Sequence, residues 1–308
     1  MQSLVVPGQA ITEGDDFLRG HGSYIKYRYE EDTGARHTVL VSCVAGQVER
    51  INKLVSVRPY KGPYGGEVGD LVVGRISAVE SKRWKVSMNG SRDAVLQLSA
   101  VNLEDGEQRM RTHQDALQMR SVFEENDLLS AEIQNIGADG QISLHTRSMK
   151  YGKLENGLLI EVPAALIKKL AHHYVTLEWG IDVLIGRNGF IWITRTIPEA
   201  WKTEIQVAKG GGNMDDLAPM ADVLQALKVR HRETPFTNEE RLNCARVYNI
   251  CSLLSKHGIV ISPESISLLF QKSLELGIEA KHIISRKEDV LLALAQADIA
   301  QEDMMDEV

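Results

Sequence analysis

The side chains that could do chemistry here fall into two groups, and only the second holds together. The first group contains the would-be catalysts. Asp15-Asp16 and Asp215-Asp216 are adjacent acidic pairs, the residue type that holds a metal ion or moves a proton. Neighbours in sequence point to opposite sides of a strand, so adjacent carboxylates rarely share a metal. Both pairs sit in glycine-rich, turn-like surroundings and read as solvated turns. His172-His173 has no acidic partner at a metal-ligand spacing such as His-Glu-x-x-His. Gly210-Gly211-Gly212 lacks the Lys-Ser/Thr of a phosphate-binding loop, and no Gly-x-Ser-x-Gly elbow is present. Cys43, Cys244 and Cys251 form no Cys-x-x-Cys pair, which argues against a zinc site or a disulfide framework. A reducing compartment is the simple reading. The expectation is therefore no enzyme, no cofactor and no metal.

The second group suits nucleic acid. Lys82-Arg83-Trp84-Lys85 places cations around one aromatic on a short β-run. A base stacked on Trp84, with phosphates on Lys82, Arg83 and Lys85, is how small barrels hold single strands. The competing reading puts Trp84 in the barrel core and its neighbours in solvent, and both stay open. Arg75, Arg92, Arg109, Arg111, Arg120, His145 and Arg147 add donors in the same region. Net charge is −7, and the acidity lies at the end: residues 232–308 carry 8 Lys/Arg against 13 Asp/Glu. No segment has the basic footprint of a protein that grips nucleic acid alone, so RNA binding is expected to be local, weak and completed by partners.

These residues need elements to position them. The first 66 residues read as β, with runs at Tyr24–Tyr29, Thr38–Val44 and Leu54–Val57 between glycine-marked turns. The segment from Pro59 to Gly66 is rich in breakers and reads as a linker. Five β-runs follow: Asp70–Glu80, Arg83–Met88, Ala94–Leu98, Leu128–Ile136 and Gln141–Thr146. Asn89-Gly90 is a hairpin signal, and a polar insertion from Glu104 to Arg120 carries one helix at Gln114–Arg120. Five short strands with an insertion after the third fit an OB barrel. The pattern then turns to mixed α/β. Gly157–Val162 is a strand, and Pro163 opens a helix to about Ala171. Asp182–Ile185 and Phe190–Thr194 flank Gly186-Arg187-Asn188-Gly189.

The last quarter reads as helical. Thr237 with Glu240, and Ser285 with Glu288, make capping boxes; Gly258 closes the first helix and Ser262-Pro263 opens the next, with Gly277 beyond it. Leu242, Ala245, Tyr248/Asn249 and Ser252/Leu253 trace the first helix's apolar face. Cys244 and Cys251 are small core residues on it. No run approaches the length of a membrane span, and the N-terminus lacks the basic and apolar regions of a signal peptide.

Four ordered motifs carry a resemblance. Asp70-Leu-Val-Val-Gly-Arg-Ile, Lys82-Arg-Trp-Lys-Val, Leu144-His-Thr-Arg-Ser-Met-Lys-Tyr-Gly-Lys-Leu and Gly186-Arg-Asn-Gly-Phe-Ile-Trp are similar to the RNA exosome S1/KH cap subunit, the ribosomal RNA-processing protein four family. The resemblance covers roughly residues 20–235. It implies a multidomain β plus α/β fold: an N-terminal β-rich domain over 1–66, an S1-like OB-fold barrel over 67–150, a KH domain over 151–232 and a helical C-terminal extension over 233–308. It further implies a non-catalytic subunit that binds single-stranded RNA, guides 3′ ends to nucleases in other subunits and braces a ring of RNase-PH-like subunits beside other cap subunits. Lys150, Tyr151, Gly152 and Lys153 become expected subunit contacts. Nucleus, nucleolus and cytoplasm become the expected locations, with no membrane partner. A stand-alone RNA-degrading or RNA-modifying enzyme, and an S1/KH RNA-binding factor outside the exosome, are the alternatives from other classes.

In an ordinary KH domain Gly-x-x-Gly joins two helices and clamps a nucleic-acid backbone. Here the flanks Val183-Leu184-Ile185 and Phe190-Ile191-Trp192-Ile193 are strand-like. Asn188-Gly189 is the favoured pair for a two-residue type I′ hairpin, so a structural turn is expected, with a working clamp as the other reading. On the turn reading, Arg187→Ala leaves stability and RNA affinity nearly unchanged, unless the side chain meets a partner subunit.

Overall fold

The computed structural model describes residues 4–14, 16–29, 36–59, 62–101, 113–148, 150–197, 226 and 229–286. Arg109, Arg111, both acidic pairs as pairs, the triple glycine and the Ser285/Glu288 box lie outside them. The chain forms two compact units, Met1–Gly62 and Pro63–Val308.

The first unit carries β1 (Leu4–Val5), β2 (Ala10–Glu13), β3 (Leu18–Arg19), β4 (Ser23–Tyr29), β5 (Arg36–Ser42), β6 (Gly46–Ile51) and β7 (Leu54–Pro59). One sheet runs β1-β6-β7-β3 and another β2-β5-β4. Val5, Leu40, Val48, Val55 and Val57 form the core. β6 was not expected, because Val48 is its one deeply buried apolar side chain among polar neighbours.

In the second unit β8 (Leu71–Val79), β9 (Arg83–Ser87), β10 (Ala94–Val101), β11 (Leu128–Ile136) and β12 (Ile142–Thr146) close into a barrel. Its order is β8-β9-β10-β12-β11, with β12 parallel to β10 and β11 returning to β8. That wiring is the OB-fold. Alternation sends Val86, Leu96, Leu129, Ile133 and Leu144 inward. The insertion carries two short helices, α1 (His113–Leu117) and α2 (Met119–Val122), in place of one. Asn89-Gly90 does not close a two-residue hairpin. Strand pairing stops at Ala94↔Val86, and the Asn89 carbonyl instead accepts the Tyr64 N–H at 3.0 Å.

β13 (Gly152–Leu154) pairs with β11, and β14 (Gly157–Glu161), β15 (Tyr174–Leu177), β16 (Ile181–Ile185) and β17 (Phe190–Arg195) form an antiparallel sheet ordered β14-β17-β16-β15. The helix expected from Pro163 is only a 3-10 turn, Ala164–Leu166. It ends because Ile167 is extended and bridges Ile261. α3 (Asn238–His257) and α4 (Pro263–Glu275) cover the sheet and share one core with it: Ile181, Val183, Ile191 and Ile193 meet Val247, Cys251, Leu254 and Phe270. The α3 boundaries are those written in the sequence, a Thr237/Glu240 capping box and a left-handed Gly258. Its apolar face is not. The buried residues are Cys244, Val247, Ile250, Cys251, Leu253 and Leu254, whereas Leu242 and Tyr248 are exposed. Burial pushes the Cys244 thiol up to about 11 and the Cys251 thiol to about 12, as fits core residues.

Buried Arg195 ties the chain entering α3 to the sheet. It donates to the carbonyls of Pro235, His231 and Thr234, and its Nε lies 3.3 Å from His231 Nε2. No helix of the described residues is long and apolar enough to cross a membrane.

Candidate nucleic-acid interface

Strand alternation in β9 sends Arg83 and Lys85 outward and Trp84 inward. Arg75 on β8 stands opposite Ser87, two residues along from Lys85, so three expected cations share the outer barrel face. They are not idle. Glu80 pairs with Arg83 and, at 2.8 Å, with Lys85. Hydrogen bonds from those two side chains hold its carboxyl below the usual range. Arg75 donates to the Asn126 carbonyl at 3.3 Å, and Arg92 to the Asp139 carbonyl at 3.2 Å. Lys82 and Arg147 are exposed. The face can offer phosphates several donors, of which Arg75, Arg83, Lys85 and Arg92 must exchange an existing contact.

Trp84 corrects the stacking expectation. It is fully buried, its indole N–H donates to the Phe123 carbonyl at 3.1 Å, and its ring meets Phe123 edge-on at 5.5 Å. No face is left for a base. The sequence Lys-Arg-Trp-Lys is compatible with either role; Phe123, just after α2 and 39 positions away, covers the ring and decides it.

Gly186–Gly189 is a turn between β16 and β17, as the flanks indicate, but not the two-residue type I′ form. Gly189 N–H donates to the Gly186 carbonyl, Gly186 N–H to Phe190, and of the Asn188-Gly189 pair only Gly189 has positive φ, at +88°. A Cβ on Gly189 would collide with the Val162 carbonyl. The turn plugs into the S1 barrel. Buried Asn188 accepts the Val73 N–H at 3.2 Å and donates to the carbonyls of Val73 at 2.7 Å and Met88 at 2.9 Å. Arg187 N–H donates to the Leu71 carbonyl, and the Asn89 amide donates to the Asn188 carbonyl. Around these bonds Leu71 and Val73 pack on Leu184, Phe190 and Trp192.

Arg187 is likewise spent inside the molecule, which corrects the expectation that removing it is silent. Its guanidinium donates to the Ile167 carbonyl at 3.2 Å and lies 3.7 Å from Asp70, itself buried and bonded to Tyr64. Burial, then the Asp70 carboxylate, drives the Tyr64 hydroxyl far above its ordinary range. Nothing in the local sequence points to this seam, because its partners lie about a hundred residues upstream.

The Lys150–Lys153 stretch also serves the chain's own packing. Tyr151 packs on the same seam and donates to Glu132 at 2.7 Å; burial and that carboxylate push its hydroxyl to about 12. Gly152 and Lys153 pair with β11, and Lys153 reaches Asp127 at 2.8 Å. His145 lies 3.9 Å from Glu132 and faces the Tyr151 ring. Lys150 is exposed. Among the described residues no group of three or more His, Cys, Asp or Glu could hold a metal ion.

A closed OB barrel with a cationic outer strand, locked to a KH-type sheet, defines an S1/KH RNA-binding protein. Family models divide the chain in the same way: "Exosome complex exonuclease RRP4 N-terminal region" matches residues 4–51, "RRP4, S1 domain" residues 63–135 and "KH domain" residues 157–199. The chain is 47% identical over 301 residues to exosome complex component RRP4 of Mus musculus, covering 97% of this chain and 91% of that protein. To exosome complex component rrp4 of Schizosaccharomyces pombe it is 36% identical over 310 residues, covering 98% and 83%. To the RRP4 of Saccharomyces cerevisiae it is 34% identical over 310 residues, covering 99% and 81%. The chain belongs to the exosome complex component RRP4 family.

Proposed function

We propose that this chain is a non-catalytic RNA-binding subunit of an RNA exosome. The observation that carries the reading is the union of barrel and KH sheet into one body in a chain whose relatives, matched over nearly its whole length, are named as exosome components. A KH loop committed to the barrel makes the KH half a brace, and leaves the barrel's outer face, with Arg75, Lys82, Arg83 and Lys85, to meet single-stranded RNA. Arg92, Arg147 and His145 extend that donor set. In the assembly the chain sits in the cap beside other cap subunits, over a ring of RNase-PH-like subunits, and passes 3′ ends toward nucleases elsewhere. Lys150 and Lys153, the exposed members of that motif, are the proposed contacts with a neighbouring subunit. We take the exonuclease in the N-terminal family's description to be the activity of the complex. Nucleus, nucleolus and cytoplasm are the proposed locations.

Two measurements test this. A tagged copy should recover ring and cap subunits in stoichiometric yield. The purified chain with Mg²⁺ should bind a labelled single strand and leave it intact. Shortening that survives purification and vanishes with a point substitution in this chain would overturn the reading.

A further inference from the structure

With Trp84 in the core, the aromatic side chains open to solvent among cations are elsewhere, on the two-stranded ribbon of β4 and β5. Tyr27 is 45% exposed and Tyr29 66%, with Tyr24 and Ile25 each about two-fifths exposed. Lys26, Arg28 and Arg36 are exposed among them, and the two strands, seven residues each, contain no acidic residue. In a chain of net charge −7 this is a local reversal of sign. β4 is the outer strand of its sheet, so solvent reaches the ribbon along an edge as well as on its faces.

We propose that the β4–β5 ribbon is a stacking track for single-stranded RNA, an inference that rests on the RNA-binding reading above. Alternation places Tyr27 and Tyr29 on one face, about 6.6 Å apart along the strand, so each can carry its own base. Arg36 on the neighbouring strand already lies 3.6 Å over the Tyr27 ring, which offers a cation stacked on an aromatic as a second planar surface. Lys26 and Arg28 project to the other face and reach phosphates that follow the β4 edge. Arg28 faces Glu13 at 3.6 Å, but both groups are largely exposed, so the contact is cheap to exchange.

Charge distribution favours RNA over a protein partner. Protein interfaces are enriched in tyrosine and arginine and depleted of lysine, so the sign of the charge decides: the two strands carry three cations and no carboxylate, which suits a polyanion. Here every second residue from Lys26 to Arg28 is a cation, so an apolar partner would bury both. Glu30, Glu31 and Asp32 follow Tyr29 directly in sequence, so the run of residues free of acids is short.

The full-length chain and a fluorescent oligoadenylate test this. Tyr27→Ala with Tyr29→Ala should weaken binding about tenfold or more, from the stacking of two bases. Tyr27→Phe with Tyr29→Phe should restore it, because phenylalanine keeps the ring face. Lys26→Ala, Arg28→Ala and Arg36→Ala together should flatten the log–log salt slope by about 2, at roughly 0.7 per phosphate. These side chains are exposed, so circular dichroism should show an unchanged fold. Unchanged affinity and slope in variants of a chain that does bind RNA would overturn the track. So would variants that keep RNA affinity but fall out of the purified complex, which would make the ribbon a protein contact. If the unmodified chain binds no RNA, alone or in the complex, the proposed function fails first and the track with it.

Discussion

Asn188→Ala should cost about 3 kcal/mol of stability and leave RNA binding alone. Three hydrogen bonds end on its carboxamide, at 3.2, 2.7 and 2.9 Å, and all are buried. A typical intramolecular hydrogen bond contributes about 0.5–1.5 kcal/mol net, and a buried group left without a partner costs about 1–3 kcal/mol. Alanine leaves the Val73 N–H and the carbonyls of Val73 and Met88 facing an empty space. In a unit of this size about 3 kcal/mol lowers Tm by roughly 6–12 °C. Asn188→Asp should be worse than alanine, although nearly isosteric. Its second oxygen replaces the NH2 group and turns two attractive contacts with carbonyls into repulsions. Scanning calorimetry of the full chain gives the order, and fluorescence anisotropy well below the transition gives RNA affinity. A Tm within 2 °C of the parent for Asn188→Ala, or weakened RNA binding at unchanged Tm, would refute the lock and return the loop to its phosphate-clamping role.

Two further outcomes follow from the packing. Trp84→Ala should destabilise the barrel by about 3–5 kcal/mol, and Trp84→Phe, which loses mainly the hydrogen bond to Phe123, by about 1–2 kcal/mol; urea titrations that find either neutral would put the indole on the surface. His231 is held below its ordinary 6.5, first by burial and then by Arg195. The unfolded chain therefore binds a proton that the folded one resists, and stability falls as pH drops below about 6.5. His231→Gln should lessen the loss in urea midpoint between about pH 7.5 and about pH 5.5; an identical pH dependence would show that the ring is solvated.

Much of this fold was legible because the signals were local. Leu128–Ile136 and the ends of α3 were readable since alternation, a capping box and a terminal glycine act within a few residues. The α3 face was misread because Leu242 and Tyr248 look like core in sequence, yet only packing against the sheet settles which side of a helix is buried. Pro163 signalled a helix start, but Ile167 is extended and bridges Ile261, a partner 94 residues away that no local pattern reveals. The candidate site was half legible. The cations of β9 were found from their clustering around one aromatic, while the role of Trp84 and of the Gly186–Gly189 turn depends on Phe123, Val73 and Met88, which no local pattern connects to them.

The bond from Asn188 to Val73 spans 115 residues, and that distance has a consequence for the order of events on the ribosome. At about 5–20 residues per second, roughly 6–23 s separate the synthesis of Val73 from that of the side chain that caps it. Only the last 42 residues of that interval, from Thr146 at the end of β12 to Asn188, or about 2–8 s, find a barrel able to close on itself, and that barrel keeps an N–H and a C=O of β8 uncapped, beside the apolar side chains of Leu71 and Val73. The barrel is thus a half-finished product until the KH hairpin emerges, and a chain truncated between the two would carry an adhesive seam in place of a sealed one.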